Sequence, residues 1–244
     1  MQLMKIEISK SKIISARKEE TIFFIQIGNL LSDLIMLQKL TIFSTNDIAT
    51  NEITRSAQNL QTLSLLRLQA GKLHEGWELL QKNFFGTGLS KDYEKHLTES
   101  EKQSLDNLKR YFGSKTNLIS LVRNKFSFHY HTSSDEILNL IEDAPASEVF
   151  EIYFSDLFGN CVFSMSNVLL MLSILKNTGL YSREEAMKKF LSDVTKVTGW
   201  FSNFLGRYLL VFTEKHLGLK SQTVEIPEPS PISKITLPFF VKAD

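Results

Sequence analysis

The run Arg123-Asn-Lys-Phe-Ser-Phe-His129 sets an arginine and a histidine on either side of five residues. Those two side chains together suit the cleavage of RNA. A histidine titrates near pH 6.5, so it can take a proton from a 2′-hydroxyl or give one to a departing 5′-oxygen. An arginine can grip the phosphate with its planar fork and stabilise charge that builds as the bond breaks. Neither step needs a metal ion. Asn124, directly after the arginine, is placed to assist.

Helical geometry limits how the pair can meet. At about 100° per residue, six positions put Arg123 and His129 about 120° apart on a straight helix, with a rise of about 9 Å. Ile119, Val122, Phe126 and Tyr130 fill the stripe between them, and Leu121 and Phe128 lie opposite. A joint site therefore needs a break in the helix before His129, or a second copy of the chain. A two-fold dimer would bring two arginines and two histidines to one cleft. The plain alternatives are a satisfied, partly buried His129, an ion-paired Arg123 at a helix edge and a local hydrogen-bonding role for Asn124.

Further upstream, His74, Glu75 and Glu78 fall within five positions, with His74 and Glu78 at i, i+4 spacing. If that face lines the cleft, Glu75 or Glu78 could orient His129 or raise its pKa, and Tyr130 is a further supporting candidate. The competing reading is a solvated helical face. His131 stands two positions after His129 on a roughly opposite face, which argues against a metal pair. Cys161 is the sole cysteine, so no intrachain disulfide and no cysteine-based zinc site can form. No cofactor or metal is expected.

Helices must carry these residues. Glu20 to Phe43 is apolar on a helical period and ends near Ser44-Thr-Asn-Asp47. A second helical stretch runs from about Ile48 to Phe84, with Leu60, Leu63, Leu66 and Leu73 on one face. Gly71 and Gly76 inside it predict a bend or a close helix crossing. The two stretches are expected to form an antiparallel pair. Asn83 to Lys91 reads as a loop, and Thr98 with Glu101 has the spacing of a capping box that opens a helix to about Phe112. Ser114 is the expected cap of the next helix, which carries the Arg123 segment to about Tyr130.

Ser134 opens a short helix to Glu142. Glu148 to Phe154 is aromatic and β-branched, compatible with a short strand or a helix. Helices from about Val162 to Lys176 and Ser182 to His216 follow. Beyond Ser221, Pro227, Pro229, Pro231 and Pro238 exclude a helix and predict an extended arm whose end, Ile235 to Val241, is apolar enough to dock. The expected fold class is all-α, or mainly α: a helical bundle with an antiparallel long-helix pair, room for one short strand, and an extended C-terminal arm. Residues 1–145 form the bundle, 146–220 add helices packed on it, and 221–244 form the tail.

The bulk numbers remove several function classes. Lys and Arg total 28 against 27 Asp and Glu, a formal charge of +1, so no global field recruits nucleic acid or anionic membrane. Binding of that kind must come from a local patch. The N-terminus is broken by Lys5, Glu7 and Lys10 and does not read as a secretory signal. The stretch from Cys161 to Leu175 is too short and too polar to span a bilayer. A lone cysteine fits a reducing compartment, so a cytoplasmic protein without a membrane partner is expected. Eighteen phenylalanines imply a core rich in aromatic contacts.

An arginine, a polar residue, a short spacer and a histidine on a late helix of an all-α chain resemble the HEPN superfamily. Its hallmark is an arginine followed four to six residues later by a histidine. The helix containing Leu65-Leu-Arg-Leu-Gln-Ala-Gly-Lys-Leu-His-Glu-Gly-Trp77 is also similar to the helices that pack beside that motif. The resemblance spans roughly Glu20 to Glu142. It implies a homodimeric, metal-independent endoribonuclease of a toxin–antitoxin or phage-defence system, with Arg123 and His129 catalytic, Asn124 assisting, and RNA and an antitoxin or other protein as partners. The alternative is a non-catalytic helical scaffold that binds a protein partner. Nucleic-acid binding without cleavage is a third reading, disfavoured by the neutral charge.

Overall fold

The computed structural model describes residues 1–46, 49–127, 134–217 and 221–242. The chain is mainly α-helical. Among the described residues the elements are β1 (Gln2–Ile6), α1 (Lys10–Ser15), α2 (Lys18–Thr45), α3 (Glu52–Asn83), α4 (Gly88–Tyr93), α5 (Glu99–Gly113), α6 (Leu118–Val122), α7 (Ser134–Glu142), β2 (Ile152–Tyr153), β3 (Val162–Phe163), α8 (Met165–Thr178), α9 (Arg183–Phe212) and β4 (Ser221–Glu225).

α2 and α3 run antiparallel, as their cross-links show. Gln26 meets Asn83 at 3.2 Å, Asp33 meets Lys72 at 3.4 Å, Thr41 meets Gln69 at 3.4 Å and Ser44 meets Thr62 at 3.0 Å. Partner numbers fall along α3 as they rise along α2. Asn51 caps α3 by accepting the backbone N–H of Thr54 at 2.9 Å. Gly76, in the C-terminal half of α3, marks a tight crossing. A Cβ on Gly76 would stand 2.7 Å from Leu30 Cδ2 and 3.2 Å from Phe201 Cε1, so a side chain here requires Leu30 and the Phe201 ring to shift where α2, α3 and α9 meet.

α9 lies against both members of the pair and against α5 and α8. Its Phe190, Val197, Phe201, Phe204, Leu205 and Tyr208 are fully buried, and one core cluster takes residues from Ala16 to Leu217. Phenylalanines knit this core: Phe23 meets Tyr208 edge to face at 5.0 Å, Phe84 meets Phe204 at 5.2 Å, and Trp77 stacks on Phe112 at 5.0 Å. A buried polar link threads the same layer, with Gln69 Nε2 donating to Thr198 Oγ1 at 2.8 Å. By length and composition α2 could cross a membrane. Here its Phe23, Ile27, Leu30 and Leu34 are core residues, while Ile22, Ile25, Ile35 and Met36 are exposed.

α9 ends in a π-helical turn, Thr213–Leu217, which delivers Lys215 and His216 to the start of α2. The carboxylate there, Glu20, is fully buried. It accepts from Arg17 at 2.9 Å and Lys215 at 2.8 Å, and His216 Nε2 lies 3.1 Å from its other oxygen. Burial alone would raise the pKa of Glu20; the bonds from Arg17 and Lys215 and the field of His216 outweigh it and hold the group down at about 2.

Several details depart from the sequence reading. The segment after α3 is a turn only to Thr87, whose hydroxyl accepts from Leu89 N and caps the short helix α4. The run around Glu148 contributes a two-residue strand, β2, paired antiparallel with β3. A second antiparallel pair, β1 with β4, joins Gln2–Ile6 to Ser221–Glu225 and was not foreseen, because Lys5 and the exposed Leu3 and Met4 carry no clean alternation. The proline-rich arm then runs back over the bundle. Leu237 N donates to Phe43 O at 3.3 Å, and Asn160 brackets Val241 with bonds of 2.7 and 2.9 Å.

Candidate functional site

The element that presents Arg123 is fixed from three sides. Thr98 opens α5 with the expected box, its N–H and hydroxyl both bonded to Glu101 at 2.6 Å. At the far end of α5, Tyr111 donates to Asp193 of α9 at 3.1 Å and accepts from Ile119 N at 3.4 Å. Burial, and the adjacent Asp193 carboxylate, push the Tyr111 hydroxyl above its usual range, so it remains a donor. The cap of α6 is Asn117, which accepts from Ser120 N at 2.8 Å; Ser114, expected in that role, instead accepts from Asn117 Nδ2 through its carbonyl. Leu118, Ile119 and Val122 are buried and lock α6 against α3 and α9.

At Arg123 the α-helix gives way to a π-helical turn, Arg123–Ser127, packed on α3. The uniform 100° spacing assumed from sequence therefore does not apply across this segment. Such turns widen the helix by one residue and recur at functional sites. His129 and Tyr130 lie outside the described residues, as does His131, so the structure describes only the arginine half of the motif.

Arg123 is half-buried. Its Nη1 donates to Asn124 Oδ1 at 3.2 Å, which orients the guanidinium through its own neighbour. Its Nε is buried and has no hydrogen-bond partner among the described residues. Asn124 borders a cavity of about 200 Å³ whose lining includes Lys115, Thr116, Ser120, Lys125 and Asn177. Among the described residues, two lysines and no carboxylate line it. This is a local basic patch on a chain of nearly zero net charge, the kind of feature the neutral composition makes necessary for an anionic partner.

α3 faces this turn with His74. The sequence reading allowed a solvated face for His74, Glu75 and Glu78; the structure separates the three. His74 is 14% exposed in its side chain, with its ring edge-on to Phe112 at 6.3 Å. Its Nδ1 lies 3.7 Å from Glu78 Oε1, beyond hydrogen-bond reach, and has no other partner among the described residues. Burial, and the positive charge of Arg123, pull the His74 pKa below its ordinary value, against the opposing pull of Glu78 and Glu75. Glu75 turns instead to Lys72 at 3.4 Å, which also reaches Asp33. Thus Glu78 belongs beside His74, and Glu75 belongs to the α2–α3 seam.

The pairing of His74 with Arg123 was not read from sequence. They stand 49 positions apart in the sequence, and only the packing of α6 and the turn after it on α3 brings their charges into range. No group of three or more His, Cys, Asp or Glu able to hold a metal occurs among the described residues. Comparison with protein-family models, with curated proteins and with solved structures finds no match for this chain.

Proposed function

We propose that the chain is a HEPN-like, metal-independent endoribonuclease that works as a homodimer in the cytoplasm, in a toxin–antitoxin or phage-defence role. The observation that carries this reading is the setting of Arg123: on a π-helical turn, its guanidinium held by Asn124, which itself borders a small cavity whose described lining includes Lys115 and Lys125 and no acid. That setting suits a phosphodiester. Arg123 is the phosphate clamp, His129 the acid–base residue, and Asn124 the group that aligns the guanidinium. The partner copy would supply the second arginine and histidine, and an antitoxin would be a protein that covers this cleft.

Incubating RNA with the protein in EDTA tests the proposal. The wild type is expected to cut RNA to ends bearing a 2′,3′-cyclic phosphate. His129→Ala and Arg123→Gln are each expected to lose activity by about 10²-fold or more. Equal RNA loss in all three samples would mark a contaminant and end the enzyme reading. Sedimentation should give twice the 27.9 kDa of one chain.

A non-catalytic interaction module is the second reading. It is favoured by the β2–β3 hairpin and its flanks, where Val149, Ile152, Phe154 (84% exposed) and Phe163 present apolar surface to solvent. Retention of partner binding by a protein that never cuts RNA would select it.

A further inference from the structure

Building on the ribonuclease reading above, we propose that His74 is a second acid–base residue of the same site, the acceptor of the 2′-hydroxyl proton, and that Glu78 positions its ring. Cleavage by transesterification moves two protons. The 2′-oxygen loses one as its bond to phosphorus forms, and the 5′-oxygen gains one as its bond to phosphorus breaks. The products are a 2′,3′-cyclic phosphate and a free 5′-hydroxyl. His129 can serve one of these transfers; a second imidazole lets both proceed without exchange with water.

Two orphaned nitrogens locate that second group. His74 Nδ1 and Arg123 Nε are both buried, and neither has a hydrogen-bond partner among the described residues. A buried polar group left without a partner calls for an explanation, and a catalytic role is one of the few that fit. They stand on elements packed against one another, α3 and the Arg123–Ser127 turn, and their charges interact.

Glu78, one turn along α3, supplies the orientation. Its Oε1 is 3.7 Å from His74 Nδ1, so a small rotation of the ring completes the bond. With Nδ1–H given to Glu78, Nε2 is left as the acceptor. The charged groups acting on the ring are Arg123 from the turn and Glu75 and Glu78 from α3; α5 contributes Phe112. Burial and Arg123 outweigh the two carboxylates and keep the imidazole neutral near pH 7, the form a base requires.

Rates on an oligoribonucleotide in EDTA, between about pH 5 and pH 9, decide the matter for wild type, His129→Ala, His74→Gln and Glu78→Gln. His74→Gln should lower kcat by about 10²-fold with little change in KM, and should abolish the acidic limb of the profile. Glu78→Gln alters a half-exposed side chain and preserves the fold. Because Glu78 raises the His74 pKa, that variant should move the acidic limb to lower pH. A folded His74→Gln with wild-type kcat and an unmoved limb overturns the role of His74 and leaves the ribonuclease reading intact. If His74→Gln fails to fold, an unmoved limb in Glu78→Gln overturns it equally. Equal RNA loss in wild type and His129→Ala brings down both proposals together.

Discussion

A buried carboxylate is costly unless its surroundings return the solvation it gives up. Glu20 recovers it from Arg17, Lys215 and His216, which arrive from both ends of the folded chain. Removing the charge leaves Arg17 and Lys215 facing a neutral pocket. Glu20→Gln is therefore expected to destabilise the fold by about 3 kcal/mol, read as a lower Tm at pH 7. The pH dependence has a definite sign. The folded pKa of about 2 lies below the unfolded carboxylate value, so the stabilisation is complete above the unfolded value and fades as pH falls toward 2. The Tm gap between wild type and Glu20→Gln should close across that acidic window. A gap that is constant down to about pH 3 would mean the ion cluster is not its source.

Helix crossings set the geometry in which α3 can meet the Arg123 turn. Gly76→Val would drive two methyl groups toward Leu30 and the Phe201 ring. A loss of about 1–3 kcal/mol is expected from overpacking, measured by denaturant unfolding, although valine is the better helix former. At this scale the sequence was most readable. The long pair, the Thr98–Glu101 box and the close approach at glycine all follow from local pattern. What was hidden followed from contacts far apart in the chain. Asn117 displaces Ser114 as the cap because Tyr111 and Asp193 fix where α6 begins, and His74 becomes half-buried because Phe112 covers it. The shift from α to π geometry at Arg123 has no residue signature at all: no proline or glycine stands in Arg123–Ser127.

On the scale of the whole molecule, the first and last strands are tied together. β1 pairs with β4, and Lys12 donates to Leu217 O, so α1 is strapped across the end of α9. The arm that follows is held by bonds from Leu237 N, Asn46 Nδ2 and both faces of Asn160. At about 1 kcal/mol per bond before the entropy of ordering, deletion of residues 227–244 should lower Tm by about 5 °C. Far-UV circular dichroism should keep the helical signal, because the deleted segment holds no α-helix. Loss of helical signal would mean the arm is part of the core rather than a strap over it.

The π-helical turn at Arg123 also has a length consequence. It accommodates one residue more than an α-helical turn. Excising a single residue between Lys125 and Ser127 would let the segment close into ordinary α-helix while leaving the buried anchors of α6 in place. Homologous chains with a one-residue gap there would therefore keep their arginine at the same address on an unbroken α-helix.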